Sequence, residues 1–472
     1  MWVPRRHPFP PRRLFVIGLD CAEPSLVFDR WRDDLPNLSR LMAEGAYGRL
    51  QSCHPPITVP AWSSMLASKD PGQLGFYGFR NRAGHHYGNL VVASSQLVRH
   101  ERVWDILGRL GKRVVLIGVP QTYPVQSVNG WLISGPLTPD SEARFTYPDE
   151  LRREVEALVG EYAFDVRDFR TPDKERLLRD IYRMTESRLT VVKHFLRYKS
   201  WDFFMFVEIG LDRMHHAFWR FMDPEHPLFE PGSPFRDALR GYYRYLDREI
   251  GQMLALLDKD VAVLVISDHG AQRMEGGFCI NEWLIREGYL TLKERPVGMV
   301  PLERCEVDWA HTKAWGVGGY YGRIFLNVQG REPQGIIPPE RYEEERDVLK
   351  ARLEATTDHL GRPLGTVALK PEEVYREVHN IPPDLLVYFG NLRWRAVGSV
   401  GIGAIHTFEN DTGPDEANHT LEGIFIWWDP QERFGGRELS GLHIEDIAPT
   451  MLSIMGVEPP PTMEGQVIHV AP

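Results

Sequence analysis

The run LFVIGLD at residues 14 to 20 is continuously apolar until it closes on an aspartate. Three further runs share its character: VVLIGV at 114 to 119, FFMFVEI at 203 to 209 and VAVLVIS at 261 to 267. Continuous apolarity, in place of every-other-residue alternation, predicts strands in a sheet covered on both faces. Helical patterns lie between them: LPNLSRLMAEG at 35 to 45, DELRREVEALV at 149 to 159 and RYLDREIGQMLALL at 244 to 257. Strands alternating with helices predict an α/β layered fold. Residues 76 to 112, 134 to 200 and 290 to 410 fit the sheet less well and read as insertions able to cap one face; PPERYEEERDVLKARLEATTD within the last is a charged, solvent-facing helix.

The bulk properties narrow the function. With 472 residues the chain can bury a large core, as one decorated domain or two. Its 43% hydrophobic and 25% charged residues are those of a folded globular protein. A formal charge of −10 argues against a general nucleic-acid binder, which needs clustered excess Lys and Arg, and leaves small substrates open. The LFVIGL run is too short for a signal-peptide core, and the apolar stretch at 396 to 405, AVGSVGIGAI, is too short and Gly-rich to span a membrane, so a cytoplasmic protein is expected. Cys21, Cys53, Cys279 and Cys305 are scattered, form no C-x-x-C pair and read as reduced, mostly buried thiols.

Three of the apolar runs lead to an aspartate: FVIGLD to Asp20, FVEIGLD to Asp212, and VLVISD to Asp268, with His269 next. Ligands in open α/β sheets bind beyond the carboxyl ends of the strands. Any one of these aspartates reads equally well as a turn residue. Three together, one carrying a histidine, favour a metal site, because carboxylate and imidazole suit zinc and similar divalent ions. Asp212 is followed by His215 and His216 at i+3 and i+4, so on a helix both share its face.

The fourth element is HPPITVPAWSSMLAS at 54 to 68. Pro60 suits the first turn of a helix, and Trp62, Met65 and Leu66 supply an apolar stripe after it. Thr58 then stands at or just before the helix N-terminus, where free N–H groups and the helix dipole favour an anionic oxygen. A threonine there is also a common plain cap. Metal coordination is one way to activate so poor a nucleophile, and two ions can hold the hydroxyl and the phosphoryl oxygens of an in-line displacement.

The ordered set (a strand ending in Asp, then T-V-P-A-W, D-x-x-x-H, S-D-H-G and a late His) resembles the alkaline phosphatase superfamily, and within it the type I phosphodiesterase and nucleotide pyrophosphatase-like branch. The likeness runs from Arg13 to nearly the end and includes SDHGA at 267 to 271, YYGRIFLNVQGREPQGI and DIAPTMLSIMG. It implies a three-layer α/β/α sandwich with a mostly parallel central sheet: a single catalytic domain over 13 to 472, cap insertions within 76 to 200 and 290 to 410, and an N-terminal extension at 1 to 12. It further implies a metal-dependent phosphoester hydrolase, a phosphodiesterase, with two divalent ions, zinc by ligand type although manganese or iron would be tolerated. Asp20, Asp268 and His269 would hold one ion with Thr58 bridging toward it as nucleophile; Asp212, His216 and His419 would hold the other. The choice of His216 over His215, and of His419 over His406, comes from the resemblance and not from spacing.

The chain also departs from its relatives. Nucleotide pyrophosphatases commonly carry Asn three residues after the nucleophile, and here Ala61 stands there, which argues against a nucleotide substrate. Cys53-His54-Pro55-Pro56-Ile57 lacks the Arg of a sulfatase motif. The expected substrate is a small phosphorylated molecule; the alternatives are a phosphomonoesterase, a phosphomutase or phosphotransferase, and a catalytically idle metal-binding scaffold. Specificity is expected in the inserted regions, where residues such as His85, Arg99, Tyr320 and Tyr321 are available.

Overall fold

A computed structural model describes residues 12–88, 90–432 and 434–470; most of the 1 to 12 extension therefore lies outside the described residues. Nine strands form the central sheet in the order Arg437–His443, Ala46–Gln51, Glu422–Trp428, Val261–Ile266, Arg13–Leu19, Phe203–Glu208, Val114–Val119, Gly130–Ser134 and Thr146–Tyr147. The five strands from Val261–Ile266 to Gly130–Ser134 run parallel, and Glu422–Trp428 and Thr146–Tyr147 pair antiparallel at either side of them. The four apolar runs of the sequence are four of these five strands.

Successive residues of a strand point to opposite faces. Phe15, Ile17 and Leu19 accordingly enter one hydrophobic core, and Leu14 and Val16 enter a second on the other side. Each fully buried aliphatic or aromatic side chain contributes about 1.5 to 3 kcal/mol, so neither face of this strand tolerates a polar residue. The first core is closed by the helices Lys174–Tyr198, Gly210–Met222 and Ala238–Leu254, the second by Thr58–Ala67, Val103–Arg109 and Ile447–Ile454. The result is three layers, helix, sheet, helix.

A smaller antiparallel sheet of Ala314–Val317, Gly322–Leu326, Leu385–Tyr388 and Val367–Leu369 has a core of its own, in which Phe278, Trp315 and Leu349 take part. The charged segment near 340 is the helix Tyr342–Glu354, and the Gly-rich run at 396 to 405 supplies the end of the strand Trp394–Val397 and the loop after it. No helix among the described residues is long and apolar enough to cross a membrane. All four cysteines are free, with Cys305 partly exposed.

Candidate functional site

The strand Arg13–Leu19 lies between Phe203–Glu208 and Val261–Ile266, parallel to both. Strands are about 4.8 Å apart, so Asp20, Asp212 and Asp268 leave the sheet along a row about 10 Å wide. All three are buried, as are Thr58, His216, His269 and His419. Each arrives differently. Asp20 follows its strand directly; Asp212 sits in the first turn of Gly210–Met222; Asp268 and His269 fill the turn between Val261–Ile266 and Gly270–Arg273. His419 comes from the strand Ala417–Thr420, which pairs antiparallel with Gly270–Arg273 and places it opposite Ala271.

Thr58 is the first residue of its helix, with Ile57 at the cap position and no side-chain cap bond. The hydroxyl is therefore not consumed in capping. It lies 3.5 Å from Asp20 Oδ1, while the Trp62 indole N–H donates to Asp20 Oδ2 at 2.8 Å. Trp62 stands four residues after Thr58, on the same helix face. It fits against the strand because residue 18 is glycine: a Cβ there would meet Trp62 at 2.7 Å and Val207 at 2.8 Å. In the sequence Trp62 reads as a member of an apolar stripe and of the T-V-P-A-W motif, with no sign of this hydrogen bond.

The residues gather into two groups. In Asp20, Asp268 and His269, and again in Asp212, His216 and His419, the available ligand atoms lie within 4.8 Å of one another. The groups touch, since the His269 and His419 rings stack at 3.9 Å. Cys21 is within reach of His269 and His419 too, with its thiol pushed well up by burial and the nearby acids. His215 points elsewhere, its Nε2 3.1 Å from the Tyr243 hydroxyl, and His406 lies in the smaller unit with Nε2 on the Thr357 carbonyl.

Hydrogen bonds behind the imidazoles fix their tautomers. His419 Nδ1 donates to the Pro56 carbonyl at 2.7 Å, His216 Nδ1 to Asp415 at 2.8 Å and the Ala417 carbonyl at 3.0 Å, and His269 Nδ1 to the Gly270 carbonyl at 3.2 Å. Those oxygens accept, so each Nδ1 carries a proton, and in the neutral ring that cation binding requires Nε2 is the bare nitrogen. His216 and His419 Nε2 lie 3.2 and 3.5 Å from Asp212 Oδ1, and His269 Nε2 lies 3.1 Å from Asp268 Oδ2. Asp212 Oδ1, Asp268 Oδ2 and His269 Nε2 are buried without a hydrogen-bond partner. Orphaned buried polar atoms are costly, and convergent carboxylate oxygens and imidazole nitrogens form a donor set that fits a divalent cation.

The electrostatics are uneven. Burial, then Asp268 and Asp212, push the Asp20 carboxyl well above the usual carboxylate range. Burial works on Asp212 as well, but His216 and Arg213 outweigh it and hold that carboxyl well below. Against burial, Asp415 and Asp212 raise His216 to about 9, and Asp268 and Asp20 do the same for His269. Burial, helped by His269, takes His419 down to about 3. Asp415, which no motif or spacing in the chain singles out, also accepts from Arg170 at 2.9 Å and Arg395 at 3.1 Å, so it meets His216 as a fixed carboxylate.

A family model described as type I phosphodiesterase/nucleotide pyrophosphatase matches residues 14–415. A search of curated protein sequences returned no match. Among solved structures, phosphonoacetate hydrolase from Sinorhizobium meliloti 1021 is similar with a TM-score of 0.61 at 16% identity, covering 96% of this chain and 97% of that one. Human ectonucleotide pyrophosphatase/phosphodiesterase 5 is similar with a TM-score of 0.54 at 12% identity, again over 96% and 97%. At these identities the structural likeness speaks for the fold, and the match of the family model over most of the chain speaks for the family. This chain belongs to the type I phosphodiesterase/nucleotide pyrophosphatase family of the alkaline phosphatase superfamily and is a phosphoester hydrolase.

Proposed function

We propose that the protein hydrolyses a phosphodiester through a phospho-Thr58 intermediate, with Asp20, Thr58, Asp268 and His269 holding one divalent cation and Asp212, His216 and His419 a second. The reading is carried by the three imidazoles, each pinned at Nδ1 by an oxygen and each turning Nε2 toward a buried carboxylate, Asp212 or Asp268, while Thr58 lies 3.5 Å from the third carboxylate, Asp20. The mixed carboxylate and imidazole set suits zinc. When bound, such ions supply Lewis acidity toward the phosphoryl oxygens and favour the ionised hydroxyl.

The residues themselves do the following. Asp20, held by Trp62, keeps an oxygen toward Thr58 Oγ1 and fixes where the nucleophile points. Ionised Oγ1, its proton given up to solvent, attacks phosphorus; the ester oxygen of the leaving group departs with the bonding pair and takes up a proton from solvent, and phospho-Thr58 results. Water then attacks the same phosphorus from the opposite side, returning the threonine hydroxyl and releasing a phosphomonoester. Thr58 and Val59 present first-turn N–H groups with no partner inside the helix, a fixed positive field for the phosphoryl oxygens. We place all of this in one catalytic domain, with the smaller antiparallel unit as its cap.

The test is metal analysis beside turnover of bis-p-nitrophenyl phosphate by the wild type and Thr58→Ala. About two equivalents of metal and a loss of roughly 10³-fold or more in Thr58→Ala are expected, the scale of removing a nucleophile. Unchanged turnover in Thr58→Ala with metal retained would overturn the mechanism.

A further inference from the structure

Between the smaller sheet and the Arg80–Arg82 strand lies a cavity of about 480 Å³ that the mechanism above does not use. Its volume is that of a small-molecule site: too large for a bare phosphate, too small for a polymer. One wall is aromatic. The rings of Tyr87 and Trp309 lie parallel at 3.5 Å, and Trp315 stands edge-on to both at 5.4 and 5.2 Å. A second wall is bare backbone, because a Cβ on Gly318 would lie 2.5 Å from the Ala396 carbonyl oxygen.

The third wall is basic. Of the four arginines that line the cavity, Arg82 pairs with Glu332 at 3.3 Å and Arg395 with Asp415 at 3.1 Å. Arg80 and Arg323 make no ion pair with a carboxylate among the described residues. Arg323 Nη1 donates to the Arg80 carbonyl at 2.7 Å, which holds the half-buried guanidinium at the cavity, and its other N–H groups have no partner among the described residues. Of the lining acids, Asp411 accepts from the Ser399 hydroxyl at 3.0 Å, and Glu303 is exposed.

The inner end of the cavity approaches the reacting centre. The Arg395 guanidinium lies 5.4 Å from the centre of the Tyr320 ring, and that ring stacks on His216 at 4.6 Å. One aromatic side chain thus stands between the cavity and the Asp212, His216 and His419 group. Tyr320 follows Gly319, itself a cavity-lining residue whose φ of 148° favours glycine.

We propose that this cavity binds the far end of the substrate's leaving group, which reaches it past Tyr320, and that this far end is aromatic and carries a second negative charge: its ring lies along the Tyr87, Trp309 and Trp315 wall and its anion meets Arg323 and Arg80. The proposal rests on the phosphodiesterase reading and names its substrate class. A flat apolar body gains from aromatic contact, and a fixed guanidinium is the donor suited to a carboxylate or phosphate.

The experiment compares methyl biphenyl-4-yl phosphate with methyl 4′-carboxybiphenyl-4-yl phosphate, matched diesters whose two-ring leaving group spans Tyr320 and differs only by a carboxylate at its far end. Arg323→Ala should raise KM for the carboxylated diester about ten-fold or more, leave the uncharged one within about two-fold, and be partly rescued by Arg323→Lys. Equal effects on both diesters, or none on either, would overturn the site. If the wild type turns over neither, the phosphodiesterase reading fails by itself, and the cavity is judged by quenching of tryptophan fluorescence with naphthalene-2-sulfonate. Saturable quenching that Arg323→Ala weakens about ten-fold supports the site, and quenching that is absent or unchanged in the variant refutes it.

Discussion

The two candidate ligand groups sit side by side yet are built by different means. Asp20, Asp268 and His269 leave two adjacent parallel strands within three residues of their ends, and the donors around the two carboxylates are neutral: the Trp62 indole on Asp20 and the Cys21 amide on Asp268 at 3.2 Å. Asp212, His216 and His419 join a helix to a distant strand, and their surroundings are charged: Arg213 pairs with Asp212, and Asp415, neutralised by Arg170 and Arg395, stands behind His216. The first group collects negative charge, and no arginine among the described residues pairs with it. The second is balanced by the protein before any cation arrives. The first should therefore depend more completely on a bound cation, and the second on the network that orients its ligands.

The strongest way to break this comparison is Asp268→Asn. Losing one of two carboxylates from the group without an arginine should lower bound metal from about two equivalents to about one and turnover by roughly 10³-fold. Retention of both equivalents would show that the groups are not distinct. Next comes Asp415→Asn, which keeps the side chain's shape but removes the charge behind His216. Metal affinity of one site, read by chelator competition, should fall about 10- to 100-fold while the other holds; an equal fall at both would dissolve the contrast. The smallest effect is expected from Trp62→Phe, which keeps most of the ring and deletes the bond to Asp20. Stability in urea should drop by about 1.5 to 3 kcal/mol, the value of a hydrogen bond to a charged group, with metal content preserved. No change in stability would mean that Asp20 is held by other means.

The same contrast governs what a reader of the sequence could see. Asp20, Asp268 and His269 were legible because a continuously apolar run that ends in Asp marks both the strand and the end of it where ligands bind. Asp212 was legible for the same reason, and the helix Gly210–Met222 supplies the i, i+4 spacing that brings His216 to it. Spacing gave His215 an equal claim. What separates the two is that His215 meets Tyr243, a residue of another helix. His419, Asp415 and the hydrogen-bonding role of Trp62 gave no local signal, since each matters only through a residue far along the chain.

By itself the amino-acid sequence determined the layered α/β fold, the strands that carry the three aspartates and the helix that begins at Thr58, because periodicity, turn chemistry and strand termini are local properties of a chain. The tertiary structure decided the rest. It brought His419 opposite Ala271 by an antiparallel pairing, locked three imidazoles with Nε2 inward, set Asp415 behind His216, and enclosed a cavity between segments more than two hundred residues apart. Long-range pairings and buried hydrogen bonds form between groups that no sequence spacing relates, so only the folded chain reveals them.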